Sequence, residues 1–91
     1  MKVCLIIPCH NEARRLDRTA FEELIRSTRH VELMMVDDGS VDGTADIGRE
    51  LEATFPDRLH CLSLPNNQGK AEAVRAGVHA VLALNRFDVV G

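Results

Sequence analysis

Three runs of apolar residues, each followed by a segment with helical spacing, dominate the pattern along the chain. Residues 2–8 are apolar on both faces of a pleated strand, and residues 31–38 and 58–65 are similar though less purely apolar, a pattern typical of parallel sheets covered by helices. A fourth run of the same kind occupies residues 87–90. The pattern therefore predicts four strands in a parallel sheet.

The segments between the strands carry apolar stripes at the period of an α-helix. The order β-α-β-α-β-α-β, with right-handed crossovers, predicts half of a doubly wound α/β sheet with strand order 3-2-1-4. We expect Ser40 or Asp42 to cap the second helix. Gly77 should weaken the third helix by about 1 kcal/mol unless it permits close packing on the sheet. The stripes are Leu16, Ala20, Leu24 and Ile25; Ile47, Leu51 and Phe55; and Val74, Val78 and Val81.

The most polar segments of the chain follow the strands at their carboxyl ends. They are residues 8–12, 37–40 and 65–70, whereas the loops at the opposite edge, residues 28–30 and 56–58, are short and plain. In open parallel sheets, ligands bind outside the carboxyl ends of the strands. This asymmetry therefore predicts a binding site at that edge.

The composition excludes several classes of function. Eleven Lys and Arg residues against fourteen Asp and Glu residues give a formal net charge of −3, and Trp and Tyr are absent. The chain thus offers neither a basic surface nor an aromatic platform for nucleic acid. Residues 3–7, the longest apolar run, are too short to span a bilayer, and a strand that starts at residue 2 leaves no room for a signal peptide. We expect a cytoplasmic protein, or part of one that lies at the cytoplasmic face of a membrane.

Three cysteines lie inside apolar segments, which indicates buried thiols and not a disulfide framework. A zinc site drawn from Cys4, Cys9, His10, His60 and Cys61 is the alternative. Its spacing fits no usual zinc motif, and neighbours such as Cys9 and His10 point to opposite faces of a strand.

Two motifs at the carboxyl edge suggest a nucleotide ligand. Asp37 and Asp38 end the second strand, where an acid can accept hydrogen bonds from ribose hydroxyls or from a base N–H; helix capping is the alternative role. Gly69 and Lys70 open the third helix, whose free N–H groups attract phosphate; a solvated surface lysine is the alternative. Because no G-x-G-x-x-G follows the first strand and no Walker loop is present, NAD and P-loop nucleotide binding are disfavoured.

Three segments together resemble family 2 glycosyltransferases. I-P-C-H-N-E at residues 7–12 is similar to the family's I-P-x-x-N-E opening, and V-D-D-G-S-V-D-G-T at residues 36–44 is similar to its V-D-D-G-S-x-D-G-T signature. N-Q-G-K at residues 67–70, followed by A-V-R-A-G at residues 73–77, resembles the N-x-G-K-x-x-A-x-R-x-G segment. The last segment is most similar to the dolichyl-phosphate-sugar synthase branch.

The resemblance implies a Rossmann-like GT-A fold and an inverting transferase that moves a hexose from a UDP- or GDP-sugar to an acceptor such as a polyprenyl phosphate. It implies that residues 1–91 form a single nucleotide-sugar-binding subdomain of a longer transferase domain. By position, the donor-binding residues would be Pro8, Asn11, Glu12, Asp37, Asp38, Gly39 and Lys70. In this set, Asp37 would shape the turn and Lys70 would lie near the pocket or the phosphates.

The resemblance also implies a divalent cation, Mg²⁺ or Mn²⁺, held by a D-x-D motif that follows a strand like residues 87–90. The sequence ends at Gly91, so we expect the D-x-D ligands and the catalytic base to lie outside this chain and the chain alone to be inactive. We also expect the exposed edge of the fourth strand to pair with a second copy of the chain.

Two other classes share the β-α-β order. A receiver-type signalling module would need an acid pair after the first strand and an Asp after the third, where this chain has Asn11-Glu12 and Asn66-Asn67. A nucleotidyltransferase would have a glycine-rich basic loop after the first strand, and Arg14 and Arg15 are the only residues here that resemble one. A non-catalytic Rossmann-like nucleotide-binding module is the remaining alternative to a transferase.

Overall fold

Strands and helices alternate along the chain, and all strand pairs are parallel in the order β3-β2-β1-β4. The computed structural model describes residues 1–91. The predicted α/β sheet and its strand order are therefore confirmed. The strands are β1 (Val3–Cys9), β2 (Val31–Asp38), β3 (Leu59–Leu64) and β4 (Val89–Val90); the helices are α1 (Arg18–Ser27), α2 (Thr44–Thr54) and α3 (Lys70–Leu84).

The predicted strand bounds are correct for β2 and wrong by one or two residues elsewhere. β1 starts and ends one residue later than predicted, and β3 excludes Arg58 and Pro65 at its two ends. Arg58 instead donates side-chain hydrogen bonds to the carbonyl of Val31, at 2.8 and 3.0 Å. Pro65, which has no N–H, cannot continue the ladder. β4 contains only two residues of the four predicted.

The start of α1 is also later than the predicted apolar stripe. Asp17 is the N-cap, and its Oδ1 accepts the backbone N–H of Ala20 at 3.1 Å. Leu16 therefore lies in the preceding loop, where its N–H donates to the carbonyl of Glu12.

The core lies in two layers, one on each face of the sheet. Because side chains alternate along a strand, neighbouring positions of β2 contribute to opposite layers. Helix α3 covers one layer, and α1 and α2 cover the other. The buried residues of the α3 layer are Cys4, Met34, Val36, Ala73 and Val81; those of the second layer are Ile25, Leu33, Leu51 and Leu59.

Gly77 is the point of closest approach between α3 and the sheet. A Cβ at this position would lie 2.8 Å from Cγ2 of both Ile6 and Val36. The close packing that the sequence left open is therefore present, and it fixes α3, with its first residue Lys70, against β1 and β2. None of the three helices is long and apolar enough to cross a membrane.

The start of α2 corrects one predicted cap. The N-cap residue is Gly43, and Asp42 satisfies the helix start by accepting the N–H of Thr44 at 2.9 Å. The Thr44 hydroxyl also donates to Asp42, and these hydrogen bonds hold the pKa of the Asp42 carboxyl below its usual value. Ser40 does not cap the helix, because its hydroxyl accepts the N–H of Asn11.

A buried ion network ties the end of α3 to the amino-terminal half of the sheet. Glu32, only 6% exposed, accepts two hydrogen bonds from Arg86 at 2.9 and 3.0 Å, and its Oε1 lies 2.7 Å from Nε2 of His60. His60 is therefore engaged in an ion network.

No group of three or more His, Cys, Asp and Glu side chains is arranged to hold a metal, so the zinc alternative finds no support. Burial raises the pKa of the Cys4 and Cys9 thiols to about 11.

Candidate functional site

A polar cleft of about 300 Å³ opens at the carboxyl ends of β1 and β2 and at the start of α3. This is the edge at which the sequence predicted a site, because the three polar segments converge there. Only one of the eight residues that line the cleft is hydrophobic. The eight are Pro8, Cys9, His10, Glu12, Asp38, Asn67, Gly69 and Lys70.

Asp38 is the carboxylate that reaches the cleft from the end of β2. The residue is buried, with 4% of its surface exposed. Its Oδ1 accepts the N–H of Gln68 at 2.7 Å, and its Oδ2 accepts the N–H of Gly69 at 3.0 Å. Because each carboxylate oxygen has two lone pairs, both can still accept a further hydrogen bond from a ligand. Asp38 therefore orders the loop before α3 and also lines the cleft.

Gly39 brings the end of β2 into contact with that same loop. Its φ is +65°, and a Cβ at this position would lie 2.4 Å from the carbonyl carbon of Asn66 and from the nitrogen of Asn67. Only glycine fits so near another backbone at a positive φ. Gly39 lies outside the cleft lining and shapes it through this close approach.

Asn11 and Glu12 connect the loop after β1 to the turn after β2. The N–H of Asn11 donates to Ser40 Oγ at 2.8 Å, and its Oδ1 accepts the N–H of Val41 at 3.0 Å. The N–H of Glu12 donates to Thr44 Oγ1 at 2.9 Å. The exposed side chain of Asn11 is thus engaged in a hydrogen bond within the chain, whereas Glu12 lines the cleft.

Lys70 is the only Lys or Arg among the residues that line the cleft. It is the first residue of α3, it is exposed, and it forms no ion pair with any carboxylate of the chain. The preceding residue, Gly69, has a φ of +93° and also lines the cleft, so the amino-terminal end of α3 lies at the cleft edge. A free ammonium group beside a helix N-terminus can bind an anion.

Asp37 points away from the cleft. It is 3% exposed, it lies on the sheet face that α1 and α2 cover, and its Oδ1 has no hydrogen-bond partner. The predicted shaping of the turn is thus performed by Asp38 and Gly39, and no side-chain hydrogen bond joins Asp37 to that turn. Four of the seven predicted donor-binding residues do line the cleft: Pro8, Glu12, Asp38 and Lys70.

Four lining residues were absent from the predicted set, although all lie in the polar segments that the sequence identified. Cys9 and His10 adjoin Pro8, and Asn67 and Gly69 adjoin Lys70. His10 bridges the two segments: its Nδ1 lies 2.7 Å from the carbonyl oxygen of Asp38, and its Nε2 lies 2.8 Å from Nδ2 of Asn67. No local spacing signals this contact, because it joins residues 57 positions apart.

Comparison with known proteins gives one consistent family. The model of the family described as "Glycosyl transferase family 2" matches residues 4–83. Polyprenol monophosphomannose synthase of Mycolicibacterium smegmatis is 33% identical over 76 residues, which is 84% of this chain and 28% of that protein. A dolichyl-phosphate beta-glucosyltransferase of Trichomonas vaginalis is 33% identical over 87 residues, 86% of this chain and 26% of that protein.

The fold comparison agrees. The mannosyltransferase PcManGT from Pyrobaculum calidifontis, solved in complex with GDP-Man and Mn²⁺, superposes with a TM-score of 0.70 at 26% identity. The match covers 87% of this chain and 24% of that chain. The chain thus spans about a quarter to a third of the length of the curated relatives it matches.

Proposed function

This chain belongs to glycosyltransferase family 2, and from that premise we propose that its cleft binds the nucleoside diphosphate of a sugar donor in an enzyme that transfers a hexose. The observation that carries the proposal is the cleft at the carboxyl ends of β1 and β2, with carboxylates at one side and a free lysine at the start of α3. Residues 1–91 are then the donor-binding part of a longer transferase domain.

The carboxylate side of the cleft suits the nucleoside. Ribose hydroxyls and the N–H groups of uracil or guanine are hydrogen-bond donors, and ionised carboxylates only accept. Asp38 keeps lone pairs free on both oxygens, and its two backbone hydrogen bonds fix its direction. Glu12 lines the same cleft, and its backbone N–H is tied to Thr44.

The lysine side of the cleft suits the diphosphate. Lys70 has no competing carboxylate partner, and the positive end of the 15-residue helix α3 lies beside it. A ligand that spans the cleft would therefore place its donor groups near Asp38 and its phosphates near Lys70. Pro8 and Cys9 also line the cleft.

The names of the matched proteins support the choice of ligands. PcManGT was solved with GDP-Man, so a GDP-hexose, or the related UDP-hexose, fits as donor. The relatives include a polyprenol monophosphomannose synthase and a dolichyl-phosphate beta-glucosyltransferase, and these names support a polyprenyl phosphate as acceptor.

PcManGT also holds Mn²⁺, and a divalent cation would neutralise the leaving diphosphate. Residues 1–91 do not fit such an ion, because they contain no group of three or more His, Cys, Asp and Glu side chains that could hold it. The residues of this chain are therefore assigned to donor binding and orientation alone.

The test is isothermal titration of the protein with GDP, UDP and NAD. We expect binding of GDP or UDP, and no response to NAD. Lys70→Ala should weaken diphosphate binding about tenfold, which is about 1.4 kcal/mol. Arg75→Ala is the matched control, because Arg75 lies on the same helix outside the cleft and pairs with Glu72. NAD binding without a response to either diphosphate, or equal losses in the two variants, would contradict the proposal.

A further inference from the structure

Three hydrogen-bonding partners fix the tautomer of His10: the carbonyl oxygen of Asp38 and the side-chain amides of Asn11 and Asn67. Its Nδ1 faces the carbonyl oxygen of Asp38 at 2.7 Å, and a carbonyl can only accept, so Nδ1 carries the proton. The Nε2 atom faces the Nδ2 groups of Asn67 at 2.8 Å and of Asn11 at 3.3 Å.

The orientation of both amides is set independently of His10. Oδ1 of Asn67 accepts the N–H of Gly69 at 3.0 Å, and Oδ1 of Asn11 accepts the N–H of Val41 at 3.0 Å. Each amide must therefore turn its NH₂ group towards the imidazole. Nε2 thus accepts from two donors and cannot carry a proton in this arrangement.

We propose that His10 is a positioning residue that links the two walls of the cleft only while its imidazole is neutral, so that donor binding weakens on acidification. This inference rests on the proposed function. Protonation of Nε2 would place an N–H against the NH₂ groups of Asn67 and Asn11. The loop that carries Asn67 and Gly69 would then lose its link to the end of β1 and keep only its two hydrogen bonds to Asp38, so the segment before Lys70 would be held less firmly.

Three charged groups line the cleft together with His10. Asp38 lies on β2, and Glu12 lies on the loop of His10 itself, where Arg15 approaches its carboxylate at 3.9 Å. Both carboxylates attract an imidazolium cation, and Lys70 on α3 opposes it. Cys9, whose pKa is raised to about 11 by burial, is neutral in the range in which histidine titrates. The change at Nε2, from acceptor to donor, is therefore what alters the cleft.

The alternative role of a protonated His10 is a direct cationic contact with the diphosphate. That role predicts the opposite dependence, because affinity would then rise as the pH falls. The direction of the pH profile consequently separates a link between the loops from a charge that binds the ligand.

The experiment has a ligand-free arm and a binding arm. In the first arm, ¹⁵N NMR of the imidazole should show a protonated Nδ1 and an unprotonated Nε2 near pH 8, with the signals of Asn67 and Gly69 shifting together with His10 on acidification. In the second arm, the Kd of GDP and of UDP is measured at about pH 8 and about pH 5, which bracket the usual range of histidine. We expect the Kd to rise about tenfold, equivalent to about 1.4 kcal/mol.

Three variants assign the profile to His10. His10→Phe keeps a ring without the acceptor and should bind weakly at both pH values, with a smaller change in Kd than the native protein, because only the terminal phosphate of the ligand then titrates in this range. His79→Gln, at an exposed position of α3, should retain the native profile. Asn67→Asp replaces the NH₂ group by a carboxylate oxygen, which requires a protonated Nε2, so its ordering of the loop should improve on acidification.

The outcomes separate this inference from the proposed function. Binding of GDP or UDP with the same Kd at both pH values, a Kd that falls on acidification, or a protonated Nε2 near pH 8 would overturn the role of His10 and leave the cleft as a nucleotide site. Absence of GDP and UDP binding at both pH values would overturn the proposed function, and the pH-dependent binding with it.

Discussion

Replacement of Gly39 by alanine should open the cleft by forcing two backbone segments apart. The added Cβ would lie 2.4 Å from the carbonyl carbon of Asn66 and the nitrogen of Asn67, and neither backbone atom can rotate away. The loop must shift as a unit, and the N–H groups of Gln68 and Gly69 would leave the carboxylate of Asp38.

The size of the effect follows from two contributions. A non-glycine residue at φ +65° costs about 1–2 kcal/mol in left-handed backbone strain. Loss of at least one of the two hydrogen bonds to the Asp38 carboxylate adds about 1.5–3 kcal/mol, because these bonds involve a charged acceptor. The free energy of unfolding should therefore fall by about 2.5–5 kcal/mol.

Gly69→Ala is the matched control for this prediction. Gly69 also has a positive φ, +93°, but a Cβ there would meet no atom within 4 Å. Its replacement should cost only the backbone strain, about 1–3 kcal/mol. Urea unfolding gives both free energies, and amide hydrogen exchange reports whether the N–H groups of Gln68 and residue 69 stay protected.

The two variants should differ most in exchange. Gly39→Ala should lose the protection of both amides, whereas Gly69→Ala should retain that of Gln68. Equal urea midpoints together with full protection in Gly39→Ala would refute the reasoning, since the loop would then tolerate a side chain where the structure leaves no space for one.

Three further predictions concern the fold around the site. Arg86→Ala should lower the free energy of unfolding by about 2–4 kcal/mol in urea, because it leaves a buried carboxylate without two hydrogen bonds, whereas Arg18→Ala, from an exposed ion pair, should cost less than about 1 kcal/mol; equal losses would refute this. Gly77→Ala should lower the melting temperature, since overpacking against the sheet costs about 1–3 kcal/mol and helix propensity returns about 1 kcal/mol; a higher melting temperature would refute close packing. The pKa of the Cys4 and Cys9 thiols is about 11 in the native state and 9.0 when the chain is unfolded. The free energy of unfolding should therefore be at its full value below pH 9 and decline as the pH rises towards 11. The decline should be smaller in a variant with both cysteines replaced by alanine.

Much of the fold could be read from local pattern, because strands buried on both faces and helices with one apolar stripe leave clear periodicities. β2 was predicted to the residue, since its mostly apolar segment, which ends in Asp37 and Asp38, is bounded by His30 and Gly39. The start of α1 was not, because Leu16 shares the apolar period of the helix and only the Asp17 cap decides where the helix begins.

The candidate site was predicted as a place more accurately than as a set of side chains. Which of two adjacent acids faces the cleft depends on strand alternation and loop contacts: both are buried, but Asp38 lines the cleft and Asp37 lies on the opposite face of the sheet. The part played by Asn11 and Gly39 is support of the loops, and it arises from contacts with residues about thirty positions away. The His10–Asn67 contact has the same origin, which sequence spacing alone cannot reveal.

The most direct test of the central claim is a two-dimensional ¹H–¹⁵N NMR titration of the protein with GDP-mannose and UDP-glucose. If the cleft binds the nucleotide sugar, the amide signals of His10, Gly69 and Lys70 should shift with one saturating curve, and those around the shallow apolar groove at Phe21 and Leu24 on α1 should stay in place. Saturable shifts confined to α1, or no shifts at either ligand's solubility limit, would contradict the account.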